Sequence, residues 1–470
     1  MQQFVSCPTA ARAMINSPGR ALLLTLIFAG TLAEAAHADT FQVGPGRTWT
    51  ALQPLFDAVD LEPGDVVEVD GNVTYPGGVI LRDTDSGAPG NPVTLRGVRV
   101  NGQRPILLGG TNTIEFRLAN HVVFESFEVV GSVADNTFRC VYHHSHDVLI
   151  RDVLIRDCPR HGLLGADQDS GSLTVEFSEI RNAGSAQFNH AIYMATDELT
   201  WPGAMFRLQH SVVRDSRFGD SGDGGNLIKS RAERNEIYYN WLEGAYYHTL
   251  ELIGPDPAGG TPEGTAREDS DIVGNVVVHD GEFGAVFRFG GDGTGQSNGR
   301  YRFVNNTVLR RHSNNDTPTI FRLFDGIEAV EMHNNVFLRD GMASFRVIRE
   351  VEADWVGGIS RIRGTQNWFD ADSSFVPTGW TDNLTGTDPG FINASGNDFR
   401  PTFGSPLLNG AGTAATASGY EVSDPLFPPS FHPRHDATSP VPSRPSAGAL
   451  DIGAFERPID GFLFTNGFEG

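Results

Sequence analysis

A short apolar strand, opened by a small polar residue, recurs through most of this chain at a drifting interval. The segments are Ser126-Phe-Glu-Val, Asp152-Val-Leu-Ile, Ser178-Glu-Ile, Ser211-Val-Val, Asn240-Trp-Leu, Asn275-Val-Val-Val, Asn306-Thr-Val-Leu, Asn335-Val-Phe-Leu and Asn367-Trp-Phe. Successive anchors lie 26 to 35 residues apart. A period of that length with a constant motif marks a solenoid, in which each repeat is one coil laid on the last. The pattern predicts an all-β chain, a right-handed parallel β-helix. An inward amide at the bend can satisfy backbone groups that the turn removes from the sheet, and Asn tolerates the left-handed conformation a bend needs. Stacked Asn residues would repeat that solution along the axis.

Length alone, 470 residues with 39% hydrophobic content, suggests several domains. A solenoid escapes that estimate because it grows by adding coils, and 55 glycines suit its many turns. Residues 1–38 read as a secretory signal. Arg12 and Arg20 precede the apolar run Ala21 to Ala33, and Ala36-His37-Ala38 has a small-x-small cleavage form. The run is short for a membrane span, and the expected location is secreted, periplasmic or cell-surface. Residues 39–110 are expected to form an N-terminal cap and first coils, and 111–400 the β-helix. A C-terminal capping segment is expected over 401–456, because open solenoid ends expose strand edges, with a tail over 457–470. Once the leader is removed only Cys140 and Cys158 remain. They either pair in an oxidising compartment or stay as buried thiols.

The chain carries 58 acidic against 35 basic side chains, a net charge of −23. That balance argues against nucleic acid as a partner, since phosphate binding needs a broad basic surface. An acidic polysaccharide would also be repelled unless a local basic groove overrides the average. Nothing in the sequence points to an oligomer, and a monomer is expected.

A second strand recurs between the anchors: His190-Ala-Ile-Tyr-Met194, Asn226-Leu-Ile-Lys-Ser230, His248-Thr-Leu-Glu-Leu252, Ala285-Val-Phe-Arg-Phe289 and Thr319-Ile-Phe-Arg-Leu323. Strand side chains alternate between faces. With Ile192, Ile228, Leu250, Phe287 and Phe321 turned inward, Tyr193, Lys229, Glu251, Arg288 and Arg322 form an outward polar ladder. His190, Asn226 and His248 open their strands and face inward unless the chain bends there. Lys229 stands apart as the only lysine among 35 lysines and arginines. An ammonium, unlike a guanidinium, can lose its proton when desolvated or crowded by other cations, and then serve as a general base. A solvated strand position retained by chance is the alternative.

Two resemblances follow from particular residues. Pro63-Gly64-Asp65, Asn91-Pro-Val-Thr-Leu-Arg-Gly97, Asp388-Pro-Gly-Phe391, Ser405-Pro-Leu-Leu-Asn-Gly-Ala-Gly412 and Asp451-Ile-Gly-Ala-Phe-Glu456 resemble segments of secreted bacterial right-handed β-helix repeat proteins. That likeness spans about residues 41–456 and implies fold, not chemistry. The stretch Ile228-Lys229-Ser230 to Asn240 resembles the lysine-bearing strand of family 6 polysaccharide lyases, the chondroitinase B-like and alginate lyases. It implies that Lys229 is a catalytic base. The family places Arg-His-Gly one coil later, where this chain has Tyr247-His248-Thr249; its own Arg160-His161-Gly162 lies upstream.

β-Elimination from a uronic acid needs a base at C5, a cation beside the carboxylate and an acid at the leaving oxygen. The expected assignments are Lys229 as base, Arg288 on the carboxylate and Tyr193, or second to it His190, as acid. Glu251, His248, Asn226 and Arg322 are expected to bind substrate, although Arg288 and Arg322 read more readily as solvated or salt-bridged surface. Asp220 and Asp223, in a Gly-rich stretch, form a weak Ca²⁺ candidate against a plain turn; no other cofactor is suggested. His143, His144 and His146 read as structural, since neighbours on a strand face opposite ways. The leading expectation is a polysaccharide lyase acting on an acidic, uronate-containing extracellular polysaccharide. The alternatives are a non-catalytic, adhesin-like glycan-binding β-helix and a glycoside hydrolase, for which Glu251 with Asp223 or Glu282 would supply paired carboxylates.

Overall fold

The alternating apolar segments pair in parallel, each with the strand one coil away, so that successive coils build three walls. The computed structural model describes residues 38–255, 268–281, 284–292, 296–311, 318–324, 326–341, 344–350, 355–412, 428–436, 440–445 and 448–458. Among these, sheet 1 holds 12 strands from Thr40–Val43 to Ile362–Thr365, and sheet 2 holds 12 from Thr74–Pro76 to Leu384–Gly386. Sheet 3 holds 10, from Val79–Leu81 to Arg346–Glu350. Every pairing in these walls is parallel between successive coils, which is a right-handed parallel β-helix. The residues described belong to one unit, His37–Gly470. The leader expected at residues 1–38 lies outside them but for its last residue, as does nearly all of the expected tail.

Apolar residues fill the interior, with Ile150, Leu163, Ile192, Ile228, Leu250, Phe287 and Phe321 all fully buried. Towards the C-terminal coils the filling becomes aromatic: the Phe287 and Phe321 rings stack at 4.9 Å and Phe337 and Phe369 at 5.4 Å. At the other end the short helix Leu52–Phe56 buries Leu52, Leu55 and Phe56, and Gln53 accepts the Ile80 N–H at 2.7 Å. Cys140 and Cys158 form a disulfide across the interior of one coil, between sheets 3 and 2.

The polar anchors form the expected ladder, with one change in the reason. Asn275 Oδ1 accepts the Asn240 N–H at 2.8 Å, and Asn275 Nδ2 donates to the Ile237 carbonyl at 2.8 Å and to Asn306 Oδ1 at 3.0 Å. The same exchange links Asn306 to Asn335, Asn335 to Asn367, and Asn367 to Asn383, one rung beyond the expected series. The left-handed residue is the one before each rung. Phe177, His210, Tyr239, Gly274, Asn305, Asn334 and Gln366 all have φ between 51° and 67°. Ser126 and Asp152, expected as rungs, occupy this left-handed position themselves, at 64° and 54°, so the first two anchors are out of register by one. The bend is thus made by one residue and its exposed backbone groups are satisfied by the next.

The C-terminal segment also differs from expectation. Its described residues do not cover an open end but lie along the outer face of sheet 2. Phe399, Leu407, Ile452 and Ala454 pack on Val212, Trp241, Val276, Val336 and Trp368. Arg444 and Glu456, both about 5% exposed, pair at 3.1 Å beneath it. Sheet 2 presents a row of apolar side chains outward, and burying that row is what the segment accomplishes.

Candidate functional site

Sheet 3 carries the site, and its last eight strands are numbered β1 (Arg139–His144), β2 (His161–Gly165), β3 (Ile192–Ala195), β4 (Ile228–Arg231), β5 (Leu250–Ile253), β6 (Ala285–Gly290), β7 (Thr319–Leu323) and β8 (Arg346–Glu350). In-register pairing brings Tyr193 opposite Lys229, Lys229 opposite Glu251, Glu251 opposite Arg288, and Arg288 opposite Arg322. The outward ladder expected from alternation therefore exists, with neighbours about 5 Å apart. Arg349 extends it by one strand.

Lys229 projects into a cleft of about 720 Å³ that runs along the axis above β1 to β4. Its ammonium lies 3.4 Å from Asp292 and 3.6 Å from Glu251, and 5.9 Å from the centre of the Tyr193 ring. The Tyr193 hydroxyl donates to Asp167 at 3.4 Å. Arg231, two residues beyond Lys229 on the same outward face, bonds Asp292 at 2.5 Å and the Gly254 carbonyl at 2.6 Å. The far end of the cleft is formed by Arg139, whose guanidinium sits 3.9 Å over the Tyr142 ring and bonds Asn112 at 3.2 Å. Its Nε is buried and unbonded. Phe188 stands at the rim, 73% exposed.

Glu251 is buried, and it joins the two halves of the ladder. Arg288 donates to it at 2.9 Å, Lys229 lies against its other oxygen, and Asn226 Nδ2 donates to it as well. Burial pushes its carboxyl upward, but Lys229, His248 and Arg288 outweigh that and hold it below the usual carboxylate value. It is ionised at neutral pH and fully engaged, which makes it a support for its cationic neighbours rather than a substrate ligand. Asn226 and His248 do not line the cleft either. Both are within 1% of complete burial, and Asn226 Oδ1 accepts the His248 N–H at 3.0 Å while His248 Nδ1 meets the Ala285 carbonyl at 2.8 Å. Alternation breaks at these positions: Ala191, Leu227 and Val286 join Ile192, Ile228 and Phe287 in the core, so the chain bends there and the Asn226 amide turns to the outward Glu251.

His190 reaches the cleft although only 4% exposed. Its Nδ1 accepts the Asn226 N–H at 3.0 Å, which leaves Nε2 to carry the ring proton. Burial, with Lys229 and His161 adding to it, pushes its pKa well below the ordinary imidazole value. It is therefore a neutral hydrogen-bond donor, not the imidazolium that a general acid requires. Arg288 is likewise displaced from its expected role. Its guanidinium is held by Glu251 and by the Gly291 carbonyl at 3.2 Å, outside the cleft. Among the described residues Arg231 and Arg139 are the guanidinium groups that line it. Arg231 was within reach of the alternation argument. Asp292, on a loop after β6 that leans back over two strands, had no periodic signal.

Of the weaker candidates, His144 lines the cleft and the other described ones lie away from it. Asp220 and Asp223 are exposed in a turn where Ser221 donates to the Asp223 carbonyl at 2.7 Å and the Gly224 N–H meets Asp223 Oδ1 at 2.9 Å. Among the described residues no three His, Cys, Asp or Glu side chains converge as metal ligands. His143 is buried, while His144 pairs with Glu115 at 2.9 Å. Glu251 is engaged and buried and Asp223 lies in that exposed turn; Glu282 lies outside the described residues.

No family model matches the chain, and no curated protein matches it. Among solved structures it is similar to an alginate lyase from Paenibacillus sp. str. FPU-7, at 15% identity over 66% of this chain and 98% of that one, with a TM-score of 0.45. A pectate lyase, Pel9A, matches at 12% identity over 90% and 97% of the two chains, with a TM-score of 0.45. A lacto-N-biosidase from Eubacterium ramulus matches at 12% identity over 74% and 67%, with a TM-score of 0.36. These likenesses concern the β-helix alone.

Proposed function

We propose that the protein is an exported enzyme that cleaves an acidic, uronate-containing polysaccharide by β-elimination in the cleft over Lys229. The observation that carries this reading is the grouping of one amine, one phenol and a guanidinium on adjacent positions of β3 and β4, at the bottom of an open groove. Those are the three chemical types the elimination calls for. In this reading the uronate carboxylate takes the place of Asp292 beside Arg231, and Lys229, released from Asp292, gives its proton to solvent and reacts as the amine. Lys229 removes the proton at C5, the electrons of that C–H bond form the C4–C5 double bond, and the C4–O bond breaks. Tyr193 protonates the departing oxygen, and the proton held by Lys229 returns to Tyr193 before the next turnover. Arg139, three strands from Lys229, serves an acid group further along the chain.

Export is supported by the leader-like N-terminus and by the Cys140–Cys158 disulfide, which suits an oxidising compartment. The test is incubation with alginate, pectate and glycosaminoglycans while following ultraviolet absorbance of unsaturated uronide ends. The reading expects absorbance to rise with one of them and to vanish in Tyr193→Phe. Reducing ends appearing without absorbance would indicate hydrolysis, and binding without either would indicate an adhesin.

A further inference from the structure

Beyond the cleft, the outward ladder of sheet 3 changes character. Arg288, Arg322 and Arg349 stand in register on β6, β7 and β8. Like charges placed directly opposite on neighbouring strands repel, and two columns on the other walls offset that. On sheet 1 the column alternates in sign: Arg96 meets Glu125 at 2.7 Å, and Arg151 meets Glu176 at 2.6 Å. On sheet 2 Arg156, Arg181 and Arg214 stack, yet each has a carboxylate, at 2.5, 3.7 and 3.6 Å.

On sheet 3 the compensation stops at Arg288. Among the described residues Arg322, Arg346 and Arg349 have no carboxylate within ion-pair distance. Arg322 Nε is buried with no hydrogen bond. Burial first, then Arg288 and Arg349, lower its affinity for its own proton. Aromatic rings accompany the cations. Phe324 lies 4.7 Å from Arg288 and 5.2 Å from Arg322, and Phe375, 64% exposed, lies 4.6 Å from Arg346. Arg346, Arg349 and Phe375 share a hollow of about 460 Å³, whose one carboxylate among the described residues, Glu350, is bonded to the Trp355 indole at 3.2 Å.

We propose that Arg322, Arg349 and Arg346 form a second binding track, separate from the cleft, for a polysaccharide bearing an acid group on successive sugars. The track rests on the acidic-polysaccharide reading of this face and extends it. A chain lying along the axis from β1 to β8 crosses seven strand spacings, about 34 Å, so the track engages long chains and not short fragments. Excess positive charge in a chain of net charge −23 is retained where an anionic ligand supplies the missing counter-charge.

The test measures binding of polyguluronate, a sulfated glycan, neutral dextran and duplex DNA to the full chain carrying Lys229→Ala, so that no cleavage intervenes. Arg322→Gln and Arg349→Gln are each expected to weaken polyanionic glycan binding about tenfold, with a shallower salt dependence, while Arg400→Gln leaves it unchanged. The carboxylated and sulfated arms tell which acid group is preferred. Dextran binding equal to the polyanion, DNA binding equally tight, or unchanged affinity in both arginine variants would overturn the track. Turnover by the parent protein with no effect of these variants defeats the track alone. Arginine-dependent binding with no turnover of any uronan defeats the lyase reading alone.

Discussion

Replacing Glu251 with Ala should test how the site is held together. The carboxylate accepts from Arg288 at 2.9 Å, faces Lys229 at 3.6 Å and accepts the Asn226 amide, all in a position 4% exposed. Ala leaves two cations on either side of a vacated rung, about 10 Å apart by strand spacing, and an amide buried without its acceptor. Removing one member of a buried ionic cluster costs about 3–5 kcal/mol, because the remaining charges stay desolvated. Glu251→Gln keeps the shape and one acceptor oxygen and should lose less, about 1–3 kcal/mol. Urea unfolding followed by far-ultraviolet circular dichroism measures both. The carboxyl is held below 4.5 in the folded protein by Lys229, His248 and Arg288 against the opposing effect of burial. Its contribution is therefore complete above 4.5 and lost as pH falls through the folded value. The gap between parent and Glu251→Ala should be full at pH 7 and shrink below 4.5. A loss under about 1 kcal/mol, or a gap indifferent to pH, would refute the cluster as described.

Other consequences are open to measurement. Asn275→Ala removes the acceptor of the Asn240 N–H and the donor to Ile237; it should cost about 2–5 kcal/mol in urea unfolding. Burial holds His161 near 3 and His248 near 4, so both stay neutral in the folded chain while the unfolded chain protonates near 6.5. Stability should therefore fall as pH drops from about 6.5 towards 4, read by thermal melts across that range. The Cys140–Cys158 link closes a loop of sequence separation 18, and replacing both residues with Ala should lower stability by about 3 kcal/mol.

The parity of the site wall was legible because a strand's period of two leaves no choice once the apolar residues are buried. Ile192, Ile228, Leu250, Phe287 and Phe321 face in, so Tyr193, Lys229, Glu251, Arg288 and Arg322 face out. The Asn rungs from Asn240 to Asn367 were legible because an apolar interior tolerates a repeated amide only where it satisfies backbone. The left-handed residues Phe177 and Tyr239 were not, because neither side chain favours that conformation; their rings stack on His210 at 5.1 and 5.2 Å. Asp292 and Asp167 reach the cleft from connections whose course no periodicity encodes. The flank position of the C-terminal segment depends on contacts such as Trp241 with Phe399, which join residues 158 positions apart.

One assay bears most directly on the proposed chemistry: absorbance of unsaturated uronide products from a panel of polyuronates, run in parallel with the parent protein and Lys229→Ala. The account predicts a rising signal with the parent, none with the variant, and superimposable far-ultraviolet spectra for the two. Equal rates from both proteins, or sugar release that never creates the unsaturated chromophore, would contradict it.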